Sequence, residues 1–318
     1  MKNETLPFSA LLDAIFQDEE VSVPLLYRLS DASPEDMERF WQRWPSVASE
    51  RRRVIARHMA DVAEEDFVVD FAPYFKRFLQ DEAAPVKVAA LDGVWDATDT
   101  TLIAPIIQLM QGDENVEVRT AAAAALAHYV LLSEWGELPS HISPSIVSAL
   151  LAVYEAEDTA VSVKRATLEA MSPANHTRIS QLIEDAYQSR LPEMRLSAVF
   201  AMGNNADTRW LPTILQELAS PETEMRAEAA RAAGLIGSSD SVEQLTALAQ
   251  EDETDVALVA VTSLGQIGSE EAREILTALL DDEEYQELHE AIEEALEELT
   301  WMSHEMSLFR VDDETDDD

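Results

Sequence analysis

Histidine–glutamate pairs are the residues of this 318-residue chain that could best hold a catalytic metal. Two of its six histidines precede glutamate, giving His289-Glu290 and His304-Glu305. Imidazole and carboxylate groups bind iron, but a di-iron centre needs about four such ligands in one cavity. Both pairs lie close together near the C-terminal end, and no other histidine precedes glutamate. We therefore predict no metal site and no bound cofactor.

Nucleophilic chemistry has no support in the residue pattern either. The chain has no cysteine, which excludes thiol nucleophiles, disulfides and iron–sulfur clusters. It contains no Gly-x-Ser-x-Gly elbow, no phosphate-binding glycine loop and no His-Glu-x-x-His motif. Carboxylates number 63, so adjacent acidic residues carry little information. We predict no catalytic residue, and the pattern favours a protein that is not an enzyme.

Basic residues recur instead at a spacing that indicates architecture. We name five of them the basic ladder: Lys87, Arg119, Lys164, Arg195 and Arg226. Because their spacing follows a structural repeat, we expect each cation to meet the acidic turn or helix-end carbonyls of a neighbouring repeat rather than a ligand. Asp113 and Asp158 are the acidic residues expected to complete the ladder.

Four aromatic residues are candidates for binding a protein partner. Trp and Tyr are enriched among the residues that contribute most to binding at protein interfaces. The candidates are spread over consecutive segments, near expected turns or an insertion: Trp95, Tyr129, Trp135 and Trp210. A partly exposed row of this kind could anchor a partner, and half-buried packing is the alternative for each.

The elements that must position these residues are helices. Alanine-rich stretches such as residues 121–125 have high helix propensity, and Gly accounts for only 8 residues. Apolar residues recur at steps of three and four, as at Ala229, Ala230, Ala233 and Ile236, which indicates one buried stripe per helix. The chain is predicted to be all-α with short connections.

A repeat of about 31 residues organises these helices, and a fixed period of this size indicates stacked two-helix units. Similar hexapeptides begin with an apolar residue followed by Lys or Arg in the better copies, as in Val118-Arg119-Thr120-Ala121-Ala122-Ala123. Weaker copies place Ala257 and His289 at the basic position, which makes seven copies in all. Every step between copies is close to the period except a longer one between Arg119 and Lys164. We predict a right-handed α-solenoid of helical hairpins.

Each unit combines an acidic turn, a helix of small residues, a glycine break and a helix with Leu/Ile spacing. The break is clearest at Gly234-Leu235-Ile236-Gly237 and Gly265-Gln266-Ile267-Gly268. This pattern resembles the HEAT repeat, in the short subtype named after phycobilisome lyases, over residues 81–299. The resemblance implies an armadillo-type α-solenoid in which neighbouring units bury each other's apolar stripes.

Departures from the pattern define the expected domains. Residues 1–80 are predicted to be a divergent N-terminal helical cap, in which Arg51-Arg52-Arg53 could supply a degenerate basic position. Residues 81–300 form the repeat array, and its longer step places an insertion near residues 131–145, expected to be a surface loop. Residues 301–318 are expected to be an acidic, disordered tail.

Net charge limits the possible partners. The formal charge is −41, and residues 251–318 carry 24 acidic and only 2 basic side chains. A surface of this charge repels phosphate backbones and anionic lipids, so neither a nucleic acid nor a membrane is expected as a partner. The expected partner is a protein, and the charge favours a basic one. The chain has no signal-peptide pattern, so we expect a cytoplasmic location.

The resulting hypothesis is a non-catalytic scaffold that mediates protein–protein interaction. The repeat resemblance also leaves two catalytic alternatives: a bilin-lyase-like protein that handles a tetrapyrrole, and a metal-dependent oxidoreductase similar to deoxyhypusine hydroxylase. An anionic mimic of nucleic acid is a further alternative.

Overall fold

The computed structural model of the protein is helical throughout the part it describes, residues 6–66 and 68–312, with side chains described up to residue 301. Within these ranges there is no β-strand, which confirms the all-α prediction. The α-helices are α1 Phe8–Gln17, α2 Val23–Ser30, α3 Pro34–Arg43, α4 Ser49–Glu65, α5 Ala72–Phe78, α6 Ala84–Asp92, α7 Ile103–Gly112, α8 Val116–Glu134, α9 Ile142–Glu155, α10 Val161–Met171, α11 Thr177–Tyr187, α12 Pro192–Asn205, α13 Leu211–Glu217, α14 Thr223–Ile236, α15 Val242–Ala249, α16 Thr254–Ile267, α17 Glu270–Leu280 and α18 His289–Asp312.

The chain divides into two compact units, Met1–Met171 and Ser172–Asp318, which we name the N-terminal unit and the C-terminal unit. In the N-terminal unit, α4, α6, α8 and α10 pack in sequence against one another, and α5, α7 and α9 each pack against them. Helices α1–α3 precede this stack. The predicted boundary at residue 80 lies inside the N-terminal unit.

The C-terminal unit repeats the same arrangement with α12, α14, α16 and α18. Glycine lets these helices approach closely, because a Cβ atom at Gly234 would lie only 2.9 Å from the backbone Cα of Ser263. The corresponding distances are 2.7 Å from Gly203 to the Cα of Ala232 and 3.1 Å from Gly265 to the Cα of Ala295. The helices α14 and α16 end in a left-handed glycine, at Gly237 and Gly268.

The start of the stack in the N-terminal unit is packed differently. Phe40 is fully buried, and its ring centroid lies 5.0–5.2 Å from those of four other aromatic rings: Phe16, Trp41, Trp44 and Tyr74. Phe78 stacks on Trp44 with a centroid distance of 4.6 Å. Large aromatic rings therefore fill the core between these helices, whereas small residues let the helices of the C-terminal unit approach closely.

The insertion near residues 131–145 corrects one expectation. We expected a loop, but α8 has 19 residues and α9 has 14, whereas α12 and α13 have 14 and 7. The added residues lengthen both helices at the turn that joins them, and this shared extension buries Leu132 and Ile142. A hairpin can lengthen at its turn because its two helices extend together.

The predicted tail from residue 301 begins within α18, and residues 313–318 lie outside the described residues. Within the described part of the chain, no helix is both long and apolar enough to span a bilayer.

Candidate interaction surfaces

In the N-terminal unit, the structure places Lys87 of the basic ladder against the acidic turn before α8. Its ammonium group pairs with Asp113, and only 15% and 9% of the two side chains are exposed. Burial alone would raise the pKa of Asp113, but hydrogen bonds from Lys87 and the Asn115 N–H outweigh burial and lower it. The ionised pair therefore links α6 to the next hairpin.

The next two ladder positions behave differently from Lys87. Arg119 donates from Nη1 to the carbonyl oxygen of Asp113 at 2.7 Å, so it binds the turn of its own repeat. Lys164 is half-buried, and within the described ranges no ion pair joins it to Asp158, which is exposed. The expected pairing of Lys164 with Asp158 is therefore wrong, because the side chain of Asp158 is exposed to water.

In the C-terminal unit, Arg195 lies near a glutamate of its own hairpin, and Arg226 lies near two glutamates in the turn before the next hairpin. The Nη2 atom of Arg195 is 3.9 Å from Oε1 of Glu217, a buried carboxylate that also accepts a hydrogen bond from the hydroxyl of Tyr187. Burial first, and then Glu217, raises the pKa of Tyr187 to about 12. Glu217 lies in helix α13, so inspection of the acidic turns alone misses it.

Arg226 has the most complete set of acceptors in the ladder. Its Nη2 lies 3.0 Å from Oε2 of Glu251 and 3.8 Å from Oε1 of Glu253, and its Nη1 donates to the carbonyl oxygen of Ser220 at 3.0 Å. Only 12% of the arginine side chain is exposed. The guanidinium thus joins its own turn to the turn of the next repeat.

A further pair of the same kind lies before the ladder begins. Arg52 of α4 pairs with Asp81 at 2.7 Å, with 13% and 3% of the two side chains exposed, and the indole N–H of Trp44 donates to the same carboxylate at 2.8 Å. The Arg51–Arg53 cluster indicates a basic position in the sequence, but the sequence does not identify Asp81 as its acidic partner.

One ladder position in the C-terminal unit carries no cation. Ala257 occupies in α16 the register of Arg226 in α14, and a cavity of about 390 Å³ lies beside it. Five carboxylate residues line this cavity: Glu251, Asp252, Glu283, Glu284 and Glu287. We name this feature the acidic cavity.

Two of the four aromatic candidates are interior residues, which corrects the expectation of a partly exposed row. Tyr129 is fully buried, and burial is the main cause that raises its pKa to about 12. Trp210 is 4% exposed, and its indole N–H donates to Oδ1 of Asn205 at 3.1 Å. Both side chains therefore pack in the core.

The other two candidates are accessible. Trp95 lies shortly after the end of α6 and is 42% exposed. Trp135 is 67% exposed. Trp135 lies at the hairpin tip, residues 131–145, where Gly136 adopts a φ of +80° and the Glu137 N–H donates to Leu132 O at 2.9 Å. The hairpin tip therefore holds an exposed indole on an ordered turn.

The histidines form no metal cluster in the described part of the chain, where no three His, Asp or Glu residues are placed to hold an ion. His289 is half-buried, with its Nε2 atom lacking a hydrogen-bond partner there. The side chains of His304 and Glu305 lie outside the described residues.

Comparison with known proteins finds a family match within the C-terminal unit. The family model of HEAT repeats matches residues 178–258 and 211–297. This match identifies residues 178–297 as HEAT repeats. The matched model covers the general repeat, so the phycobilisome-lyase subtype stays a prediction. Among curated proteins, none matches this sequence.

Solved structures with weak similarity to this chain include proteins of different kinds. Escherichia coli YibA is 14% identical over 76% of this chain and 96% of its own, with a TM-score of 0.42. Human deoxyhypusine hydroxylase in complex with glycerol is 15% identical over 92% and 96%, with a TM-score of 0.37. Kap121p bound to Nup53p is 15% identical, with a TM-score of 0.40, and this chain spans 43% of it. At these TM-scores, the likenesses assign no site or activity to this chain.

Proposed function

We propose that this protein is a non-catalytic cytoplasmic HEAT-repeat scaffold that binds a protein partner. Arrays of helical hairpins provide extended binding surfaces without reactive groups. The observation that supports the proposal most is the hairpin tip, where Trp135 is 67% exposed on a turn closed by backbone hydrogen bonds. An ordered, exposed indole loses little conformational freedom on binding, as is typical of interface anchors.

The test compares partner retention by the wild-type protein and two tryptophan variants. Each tagged protein is used to purify bound proteins from the native cell extract, and the co-eluting proteins are quantified. We expect a specific partner to be retained by wild type and lost at least fivefold from Trp135→Ala. Trp95→Ala serves as the control for loss of an exposed indole elsewhere. Equal retention by wild type and Trp135→Ala would exclude the hairpin tip as the binding site.

The two catalytic alternatives make different predictions for purified protein. A bilin-lyase-like protein would shift the absorbance of an added bilin, and a deoxyhypusine-hydroxylase-like protein would contain about two equivalents of iron. No specific contact among the described residues favours either alternative.

A further inference from the structure

A groove in the N-terminal unit is divided by the stacked side chains of Trp41 and Arg77. Trp41 of α3 is half-buried, and the guanidinium carbon of Arg77 in α5 lies 4.0 Å from the centre of its ring. Two cavities, of about 400 Å³ and about 580 Å³, share these two side chains and no other lining residue. The stacked pair therefore forms the wall between the cavities, and we name the two cavities with this wall the Trp41 groove.

Arg77 lacks the carboxylate partner that neighbouring cations have. Arg52 lines the same groove and pairs with Asp81, and Lys76, the residue before Arg77, pairs with Asp99 at 3.1 Å. Among the residues that the structure describes, Arg77 forms no ion pair, although the chain has 63 carboxylates. Stacking on an indole orients the plane of a guanidinium and leaves its N–H groups free to bond both oxygens of a carboxylate. The groove therefore presents an oriented donor to a carboxylate from outside the chain.

Apolar surface lies on both sides of this donor. The apolar side chains that line the groove are Pro34, Met37 and Pro73 in the larger cavity and Trp44 and Pro45 in the smaller one. In an extended peptide, side chains two residues apart lie on the same face, with their Cα atoms about 7 Å apart. A segment that crosses the Trp41–Arg77 stack can therefore place a carboxylate on Arg77 and one apolar side chain in each cavity.

The other charges in the groove restrict the segment to a single acidic residue. Glu38 and Glu82 are exposed, and each lines one of the two cavities. They repel a run of carboxylates, as does the net charge of −41. A lone carboxylate between apolar side chains fits these charges better than an acidic tract does.

We propose that the Trp41 groove binds an extended segment of the protein partner, in which one acidic residue lies two residues away from an apolar residue on each side. The carboxylate accepts hydrogen bonds from the guanidinium of Arg77, and the two apolar side chains fill the cavities beside it. This inference rests on the proposed scaffold function and adds a second contact surface to the hairpin tip. It concerns one segment of the partner and not the partner's overall charge.

Binding is tested with a fluorescein-labelled peptide, Gly-Leu-Ser-Glu-Ser-Leu-Gly, followed by fluorescence anisotropy at fixed salt. We expect Arg77→Gln to weaken binding at least tenfold, because the peptide carboxylate loses its cationic donor. Lys76→Gln is the matched control: it removes the same charge from the preceding residue, which lines neither cavity, and should change affinity less than twofold. Arg77→Lys keeps the charge but not the planar set of donors, and should bind at least threefold more weakly than wild type. Circular dichroism verifies that the variants are folded.

Two altered peptides test the proposal with the wild-type protein, independently of the folding of any variant. A peptide with glutamine in place of glutamate, and a peptide with serine in place of both leucines, should each bind at least fivefold more weakly. Undetectable binding of the first peptide, equal losses in Arg77→Gln and Lys76→Gln, full affinity of Arg77→Lys, or unchanged affinity of either altered peptide would each overturn the proposal. Trp135→Ala should bind the peptide as wild type does, so failure here leaves the test of the hairpin tip unaffected.

Discussion

The start of the N-terminal unit and the C-terminal unit build helical hairpins from different side chains. Around α3–α5, the core is filled by the stacked and tilted rings of Phe40, Trp44 and Phe78. In α12–α16, glycine and alanine allow the helix backbones to approach directly. The family model matches only from residue 178 onwards, within the region of small residues. The residue pattern of the repeat therefore follows from close backbone approach, whereas helical hairpins can also pack around an aromatic core.

The largest effect is expected in the aromatic core. Phe40→Ala should lower the free energy of unfolding by about 4 kcal/mol, because it removes a fully buried ring that contacts four others. Urea denaturation measures this change. Tyr27→Ala, at a side chain 40% exposed, is the control and should cost less than about 1 kcal/mol. Similar losses for the two variants would contradict an aromatic core centred on Phe40.

A smaller loss is expected where helix backbones approach each other. Gly234→Ala should cost about 2 kcal/mol, because the new Cβ would lie 2.9 Å from the Cα of Ser263. Gly112→Ala makes the same chemical change where nothing lies within 4 Å, and its higher helix propensity should leave stability unchanged or raised by up to about 1 kcal/mol. Urea denaturation of the two variants in parallel measures both changes. A stabilising Gly234→Ala would show that the approach is not close.

The ladder should contribute less than either kind of core packing. Lys87→Met should cost about 1.5 kcal/mol at neutral pH, since it leaves the carboxylate of Asp113 without its cation. Lys76→Met, which removes an exposed pair with Asp99, should cost less than about 0.5 kcal/mol.

The pH dependence of this difference follows from the lowered pKa of Asp113. A carboxyl group whose pKa is lower in the folded state stabilises fully above its unfolded value, here near 3.8, and loses that contribution as the pH falls through the folded value. The gap between wild type and Lys87→Met should therefore narrow below about pH 3.8. A gap independent of pH would exclude the ion pair as its cause.

The smallest effect on stability is expected at the hairpin tip. Trp135→Ala should change the free energy of unfolding by less than about 0.5 kcal/mol, because two-thirds of the side chain is already in water. Differential scanning fluorimetry is sufficient to detect a larger change. A loss above about 2 kcal/mol, as is typical when a buried side chain is truncated, would assign Trp135 to packing rather than to partner binding.

The helices and the register of the ladder could be predicted from the sequence, because both follow from periodic residue types. The sequence pattern does not identify Glu217 as the acidic neighbour of Arg195, since that carboxylate lies in a helix rather than in a turn. The exposure of single aromatic residues could not be predicted either. Trp210 is buried and Trp135 is exposed, although each follows the first helix of its hairpin. Such differences depend on which neighbours the folded chain supplies. The longer α8–α9 hairpin could not be predicted for the same reason, because its added residues pack against each other.

The link that Arg226 makes between the turn of its own repeat and the turn of the next repeat is the centre of this account, and one substitution tests it directly. Urea denaturation of Arg226→Met measures how much this link stabilises the protein. We expect the free energy of unfolding to fall by about 1.5 kcal/mol, because Glu251 and the carbonyl oxygen of Ser220 lose a donor of which only 12% is exposed. A loss below about 0.5 kcal/mol, which is typical of an exposed ion pair, would contradict a ladder that joins consecutive repeats.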